Sequence, residues 1–258
     1  MSEPYAADET QVVANVLAET SATGHTRNGL LKKVATSAAA GAAAGGIGGP
    51  LLSMVNAGAA DAAVPTIHKT GTIAITAEAL AVTYLKSVVH KAEQQNVFNA
   101  STRTILKAAN AAEWDHYKFL KGAGFRPLTT KFWIPDEFYG TKLANVPATL
   151  EVAETLFVNA YLKAISVFAR RGQPVLARYA GETCAVEAQH LALARSLQGK
   201  LPNNIGFAAY TLHHFNSIVA ALEHAGVGFG KKGTKPGSFH NFTGPDHALV
   251  PIKHNVPT

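Results

Sequence analysis

Two Glu-x-x-His motifs, each preceded by an isolated glutamate, constrain the possible fold of this chain more than any other feature. In the first set, Glu113-x-x-His116 follows Glu78 by 35 residues (113 − 78). In the second set, Glu187-x-x-His190 follows Glu154 by 33 residues (187 − 154). Because residues i and i+3 share one helical face, each motif presents a carboxylate and an imidazole on the same side. This repeated set is a ligand set for two metal ions inside a four-helix bundle. The candidate ligands are Glu78, Glu113, His116, Glu154, Glu187 and His190.

The charge of this set also favours two metal ions. Four ionised carboxylates together carry a charge that two divalent cations neutralise, and neutral imidazoles add nothing to it. Without metal, clustered buried carboxylates repel one another and partly protonate.

The helical register places each candidate on an apolar face. On the first predicted helix, Ile75, Glu78, Val82 and Leu85 are spaced by three and four residues. The candidate ligands and apolar residues of the other three predicted helices follow the same spacing. The alternative is that these are surface glutamates and ordinary core histidines. An ionised group on a core face is costly unless it is paired or coordinated, so the register favours ligands.

Composition predicts an all-α fold, and the length allows one large domain or two small ones. Apolar residues make up 47% of the 258 residues, charged residues only 16%, and much of the apolar content is alanine, which favours helix. The net charge of +6 is spread along the chain without an aromatic-and-basic pattern, so no nucleic-acid partner is expected. Cys184 is the only cysteine, so no internal disulfide can form. It either approaches the metal site or fills the core.

Residues 1–62 form a separate N-terminal extension. Arg27 and nearby lysines precede a Gly/Ala-rich stretch, and Ala60-Asp61-Ala62 is a small-x-small pattern typical of signal cleavage sites. The segment resembles a twin-arginine export signal, although Asn28 stands where the second arginine is usual. It predicts a periplasmic or extracellular protein, or a cytoplasmic one if the N-terminus is retained. Because Pro50 and many glycines interrupt the stretch, no stable membrane span is expected.

Four long helices and one long connection are predicted within residues 63–226. The helices lie near 71–95, 99–121, 147–171 and 174–198. Residues 122–146 are too long for a turn and can cross the whole bundle, so the third helix begins at the far end. The aromatic residues expected to pack this crossover onto the bundle are Phe132, Trp133, Phe138 and Tyr139.

A fifth helix is predicted over 206–225, and the tail from 227 to 258, rich in Gly, Pro and Lys, is predicted to be irregular. His213, His214 and His224 suggest a second metal site only weakly, because they lack carboxylates at matching positions.

Residues 70–200 resemble the ferritin-like superfamily, and more narrowly the bacterial ferritin-like proteins akin to plant desiccation-related proteins. The segment 185–195 (AVEAQHLALAR), the segment 112–120 (AEWDHYKFL) and the spacing of Glu154 and Tyr161 carry this resemblance. Related proteins often have a second glutamate where this chain has Ala81. The first-helix ligand therefore rests on Glu78 alone.

The resemblance implies a dinuclear site with two iron ions, or alternatively two manganese ions, held by the six candidates. By it, Glu113 and either Glu154 or Glu187 bridge or chelate, and each histidine binds one metal. Glu151 is the alternative to Glu154. Tyr84 and Tyr161 either support the ligands or are core rings.

The leading functional hypothesis is a diiron protein that reacts with dioxygen or peroxide, as a ferroxidase or in protection against oxidative stress. One alternative is a dimanganese protein that dismutes peroxide. Another is a non-catalytic protein of stress or desiccation tolerance, or a structural assembly subunit. The sequence leaves open whether the chain is an enzyme, and a homo-oligomer is compatible with each hypothesis.

Overall fold

A computed structural model of the chain describes residues 66–211, 216–247 and 250–252. The predicted N-terminal extension, its export-like segment, His213 and His214 lie outside these residues. The described part is mainly helical. Its helices are α1 (Ile67–Gln94), α2 (Ala100–Gly122), α3 (Val146–Arg170), α4 (Pro174–Leu197) and α5 (Asn216–His224).

The four long helices confirm the predicted ones to within a few residues at each end. Local capping explains where two of them begin. The Thr66 side chain accepts a hydrogen bond from the Lys69 amide before α1, and Asn99 accepts one from the Thr102 amide before α2. Proline in the first turn of α3 and of α4 suits those starts, because the first helical amides have no partner within the helix.

The long helices form two antiparallel hairpins. Between α1 and α2, Asn110 donates to the Val82 carbonyl at 2.9 Å, and Lys107 pairs with Glu93 at 2.7 Å. Since rising numbers on one helix meet falling numbers on the other, the helices run in opposite directions. In α3 and α4, Gln198 donates to the Pro147 carbonyl at 3.2 Å, which gives the same arrangement.

The connection between α2 and α3 crosses the bundle as predicted. It starts beside Gly71, where the Phe125 ring fills the space that a side chain at position 71 would need. It later passes Tyr84, whose hydroxyl donates to the Phe138 carbonyl at 2.8 Å. These two points are separated by about 20 Å along α1. The four aromatic residues predicted to pack it are all buried: Phe132, Trp133, Phe138 and Tyr139.

A small antiparallel sheet corrects the prediction of an irregular tail. The crossover contains β1 (Lys131–Pro135), which lies between β2 (Gly228–Phe229) and β3 (Gly237–Asn241) from the tail. In this register Phe132 is opposite Phe229 and Trp133 is opposite Phe239. A lone strand leaves backbone groups unpaired on two edges, and the tail supplies partners for both. The fold is therefore a helical bundle with a small sheet on the crossover.

The fifth helix is shorter than predicted, because residues 206–211 are not helical. There the Asn159 side chain on α3 accepts a hydrogen bond from the Thr211 amide at 2.7 Å, which uses a donor that a helix would need. The part that does form, α5, buries Ile218, Ala221 and Leu222.

Two of the described helices, α1 and α3, are long and apolar enough to cross a membrane. Core helices of soluble bundles meet the same criterion, and 72% of the most apolar window of α1 is buried within the structure. Their hydropathy is thus weak evidence for a membrane span.

Candidate metal centre

Four buried glutamates, one from each long helix, meet inside the bundle. Glu78 lies on α1, Glu113 on α2, Glu154 on α3 and Glu187 on α4. Three of them are fully buried and Glu154 is 3% exposed. Their burial is what the three-and-four spacing predicted, because each glutamate occupies the apolar stripe of its helix.

A first group of potential ligands surrounds His116. Its Nδ1 atom lies 3.6 Å from Oε2 of Glu78, 3.4 Å from Oε2 of Glu113 and 3.3 Å from Oε1 of Glu187. One ligand atom from each of the four residues lies within 4.8 Å of the others, so a single ion can contact all four. We call Glu78, Glu113, His116 and Glu187 the first subsite.

A second group surrounds His190. Its Nδ1 atom lies 2.8 Å from Oε1 of Glu113, 3.3 Å from Oε2 of Glu187 and 4.0 Å from Oε2 of Glu154. These ligand atoms also fall within 4.8 Å of one another. We call Glu113, Glu154, Glu187 and His190 the second subsite.

Glu113 and Glu187 belong to both subsites, and each turns one oxygen toward each imidazole. Two carboxylates that are shared in this way are placed to bridge two ions. Glu78 and Glu154 each face only one subsite and are terminal carboxylates. The resemblance left Glu154 or Glu187 as the second bridging or chelating carboxylate, and in the structure Glu187 belongs to both groups whereas Glu154 belongs to one.

The hydrogen bonding of this cluster fits a metal centre. Among the described residues, several of its buried atoms have no hydrogen-bond partner, although nitrogen and oxygen atoms approach closely. Nδ1 of His190 and Oε2 of Glu187 form a hydrogen bond at 3.3 Å, but the unpartnered atoms lie close together without hydrogen-bond geometry, as the ligands of a cation do. An unsatisfied buried polar atom costs about 1–3 kcal/mol. The unpartnered atoms are Oε2 of Glu78, both carboxylate oxygens of Glu113, Nδ1 of His116, Oε2 of Glu154 and Oε1 of Glu187.

Burial dominates the ionisation of the terminal carboxyls. It raises the pKa of Glu78 well above its ordinary value, and the charge of Glu113 adds to the effect. Burial raises the pKa of Glu154 in the same way, with the charge of Glu187 adding to it. Glu113 is different, because the adjacent His116 and His190 outweigh burial and hold its pKa well below the ordinary value.

The imidazoles respond to the same carboxylates. Burial acts to lower the pKa of His116 and of His190, but the surrounding carboxylates outweigh it and raise both well above the ordinary value. Without metal, imidazolium cations therefore supply part of the positive charge that the carboxylates require. A metal must displace these protons, because only a neutral imidazole nitrogen can coordinate.

Tyr161 and Tyr84 have different roles. The Tyr161 hydroxyl donates a hydrogen bond to Oε1 of Glu78, so it orients a terminal ligand. Burial and the charge of Glu78 raise the pKa of Tyr161, which keeps the hydroxyl protonated. Tyr84 instead donates to the Phe138 carbonyl and is a core ring that holds the crossover.

Two other candidates lie outside both subsites. Glu151, the alternative to Glu154, pairs with Arg195 at 3.0 Å and also with Lys200. Cys184 is partly buried, with its Sγ atom 3.7 Å from the Val158 carbonyl oxygen on α3. Burial raises the pKa of its thiol, and the charge of Glu187 adds to the shift. Cys184 thus packs between α3 and α4 without joining the ligands.

A cavity of about 50 Å³ beside Glu154 was not foreseen from the sequence. Apart from Glu154, Tyr84 and Thr149, its lining is apolar and includes Ala153 on α3 and Leu222 on α5. It forms where the crossover and α5 meet the bundle, and no local sequence pattern marks such a meeting.

A family model described as a ferritin-like domain matches residues 71–200, a range that includes all six candidate ligands. No curated protein and no solved structure matched the chain.

Proposed function

The chain belongs to the ferritin-like domain family, and we propose that it is a dinuclear metal protein whose two iron ions react with dioxygen. In this proposal the reaction serves to oxidise Fe(II) or to consume oxidant. We also propose that the chain is related to the desiccation-related proteins and that it protects against oxidative stress.

The observation that carries the proposal is the sharing of Glu113 and Glu187 between two imidazoles. A structural ion needs only one closed ligand set. Here two sets overlap through two carboxylates, each with an oxygen directed to either side. This arrangement holds two ions next to each other, which a single-ion site does not require.

Oxygen and imidazole ligands suit iron, and they suit manganese as well. Four carboxylates neutralise two divalent ions within a buried site, which supports a pair in the divalent state. The family match does not distinguish iron from manganese. The dimanganese, peroxide-dismuting protein is therefore the alternative that metal analysis separates.

When bound, an iron pair supplies electrons for the reduction of an oxidant and open positions at which the oxidant binds. The side chains perform the remaining tasks. Glu113 and Glu187 would hold both ions, and each imidazole would bind the ion of its own subsite. Tyr161 keeps its proton and fixes the orientation of Glu78 through a hydrogen bond. Burial of the cluster excludes bulk water.

The cavity beside Glu154 favours dioxygen over peroxide. About 10–15 Å³ admits one water molecule, so a cavity of about 50 Å³ has room for a diatomic molecule. Peroxide loses hydrogen bonds when it enters an apolar space, whereas dioxygen loses none. An apolar cavity that ends at a ligand carboxylate therefore selects the apolar oxidant.

The test is anaerobic titration of the purified chain with Fe(II), followed by addition of dioxygen or of peroxide. We expect about two ions per chain and faster oxidation with dioxygen. The variant with Glu113→Ala and Glu187→Ala removes both shared carboxylates and is expected to bind neither ion.

The matched control is the double variant Glu93→Ala with Glu182→Ala. It replaces two exposed glutamates on long helices of the same bundle and is expected to bind two ions. Circular dichroism checks that helix content is equal in both variants. Normal binding of two ions by the shared-carboxylate variant would contradict the proposal. Uptake of manganese alone would favour the dimanganese alternative, and no uptake of either metal would favour the non-catalytic protective protein.

A further inference from the structure

A separate group of metal-binding side chains joins the C-terminal segment to the first helix. We propose that His90, Asp246 and His247 form a third metal site, which binds a divalent transition metal such as Zn²⁺ and attaches the C-terminal segment to α1. This inference does not rest on the proposed function, because none of the three residues belongs to the dinuclear centre.

The three side chains already lie at coordinating range. One ligand atom from each falls within 4.8 Å of the others. Nε2 of His90 is 2.6 Å from Oδ1 of Asp246, and the rings of His90 and His247 are 6.3 Å apart between centroids. Zinc ligands at about 2.0–2.2 Å from the ion lie about 3.3 Å from one another, so small side-chain rotations suffice.

His247 provides a second, independent indication. Both of its ring nitrogens are shielded from solvent and have no hydrogen-bond partner among the described residues. A neutral imidazole carries one donor and one acceptor, and an acceptor nitrogen without a partner is a costly arrangement. A metal ion at one nitrogen would satisfy the acceptor.

Asp246 is held in the orientation that such a site needs. Its Oδ2 atom pairs with Lys86 at 2.7 Å, which leaves Oδ1 directed toward His90. Lys86 also donates to Oγ1 of Thr243 at 2.8 Å, so the same side chain secures the approaching segment. Partners of this kind, outside the metal ligands, orient a carboxylate for coordination.

The donor set indicates the class of metal. Two imidazoles and one carboxylate suit zinc, copper, nickel or Fe(II) better than calcium or magnesium, which prefer oxygen ligands. Three protein ligands leave one tetrahedral position open for water. His90 lies near the C-terminal end of α1, where the helix dipole favours a cation.

The test is equilibrium dialysis of the full-length protein against Zn²⁺, compared with His90→Ala, with His247→Ala and with the control His68→Ala. His68 is exposed near the other end of α1. We expect each cluster variant to bind one ion fewer than the unaltered chain and the control to bind the same number. Equal stoichiometry in all four proteins would overturn the proposal, provided that circular dichroism shows equal helix content.

A second measurement examines the attachment itself. Gly244 packs against the Trp114 ring, and a side chain at position 244 would come within 3.2 Å of it, so the segment is seated on the bundle. Zn²⁺ should slow hydrogen exchange in residues 242–247 by at least about tenfold in the unaltered chain and not in His90→Ala. The same exchange rates with and without Zn²⁺ would contradict the attachment.

Discussion

The two subsites of the candidate metal centre have the same residue types but different surroundings. In the first subsite, the terminal Glu78 accepts a hydrogen bond from the buried Tyr161 hydroxyl. In the second subsite, the terminal Glu154 lines an apolar cavity. The duplicated sequence pattern makes the two sets look equivalent. In the structure, however, Glu78 accepts a hydrogen bond from Tyr161, whereas Glu154 borders the apolar cavity.

This difference indicates a division of tasks. A carboxylate whose orientation is secured by a hydrogen bond is suited to holding an ion firmly. A carboxylate beside a cavity has room to move when a small molecule arrives. We therefore expect the oxidant to enter at the second subsite, on the side of Glu154. Four predictions test this comparison, from the largest expected effect to the smallest.

Removal of a terminal carboxylate is expected to have the largest effect. Glu78→Ala should empty the first subsite and Glu154→Ala the second, so each variant should hold about one ion per chain in place of two. The measurement is metal content after anaerobic loading with Fe(II), with Glu182→Ala as the control. If either variant lost both ions, the shared carboxylates would not be sufficient to hold the remaining one.

Metal affinity is expected to rise with pH at both subsites. The pKa values of Glu78, Glu154, His116 and His190 are all raised, so protons occupy these groups at a higher pH than usual and must leave when metal binds. Affinity therefore falls as pH falls, by about tenfold per pH unit for each proton released.

Titration of the two single-ion variants at several pH values compares the subsites directly. Because the subsite that stays intact in each variant contains one terminal carboxyl and one imidazole, we expect similar slopes. An affinity that is independent of pH would contradict the ionisation described for these groups.

Tyr161→Phe is expected to weaken only the first subsite. It removes the donor to Glu78 while the ring remains, and loss of such a partner typically lowers metal affinity by about 10–100-fold. Tyr84→Phe is the matched control, because its hydroxyl bonds the crossover backbone. Competition with a chelator measures the change. Equal weakening of both subsites would show that Tyr161 does not distinguish them.

Filling the cavity is expected to have the smallest effect. Ala153→Leu should leave two ions bound and slow the reaction with dioxygen by about tenfold, equivalent to about 1.4 kcal/mol in the barrier. Ala169→Leu, at an exposed position of the same helix, is the control. Stopped-flow mixing of the iron-loaded protein with dioxygen gives the rates. An unchanged rate in Ala153→Leu would mean that the oxidant takes another route.

Local pattern was sufficient for the long helices and for the core-facing position of all six candidate ligands, five of which are buried while the His116 side chain is 12% exposed. Helical periodicity repeats every few residues, so the position of Glu78 or His190 on a core face can be read without knowledge of the fold. The length of 122–146 likewise predicted a crossover, because reach depends on the number of residues alone. The fifth helix was predicted too long: residues 206–211 are not helical, and the Thr211 amide bonds the Asn159 side chain on α3.

Local sequence therefore specifies the set of helices and the faces that carry the candidate metal ligands, because these depend on residues within a few turns of one another. The tertiary structure decided three other features: which carboxylates are shared, where the cavity lies, and how the tail pairs with β1. It also brings Asp246 to His90. Those features join residues that are distant in the chain, such as His90 and Asp246, which are 156 positions apart. No periodic pattern records such contacts, because they depend on how separate elements pack against one another.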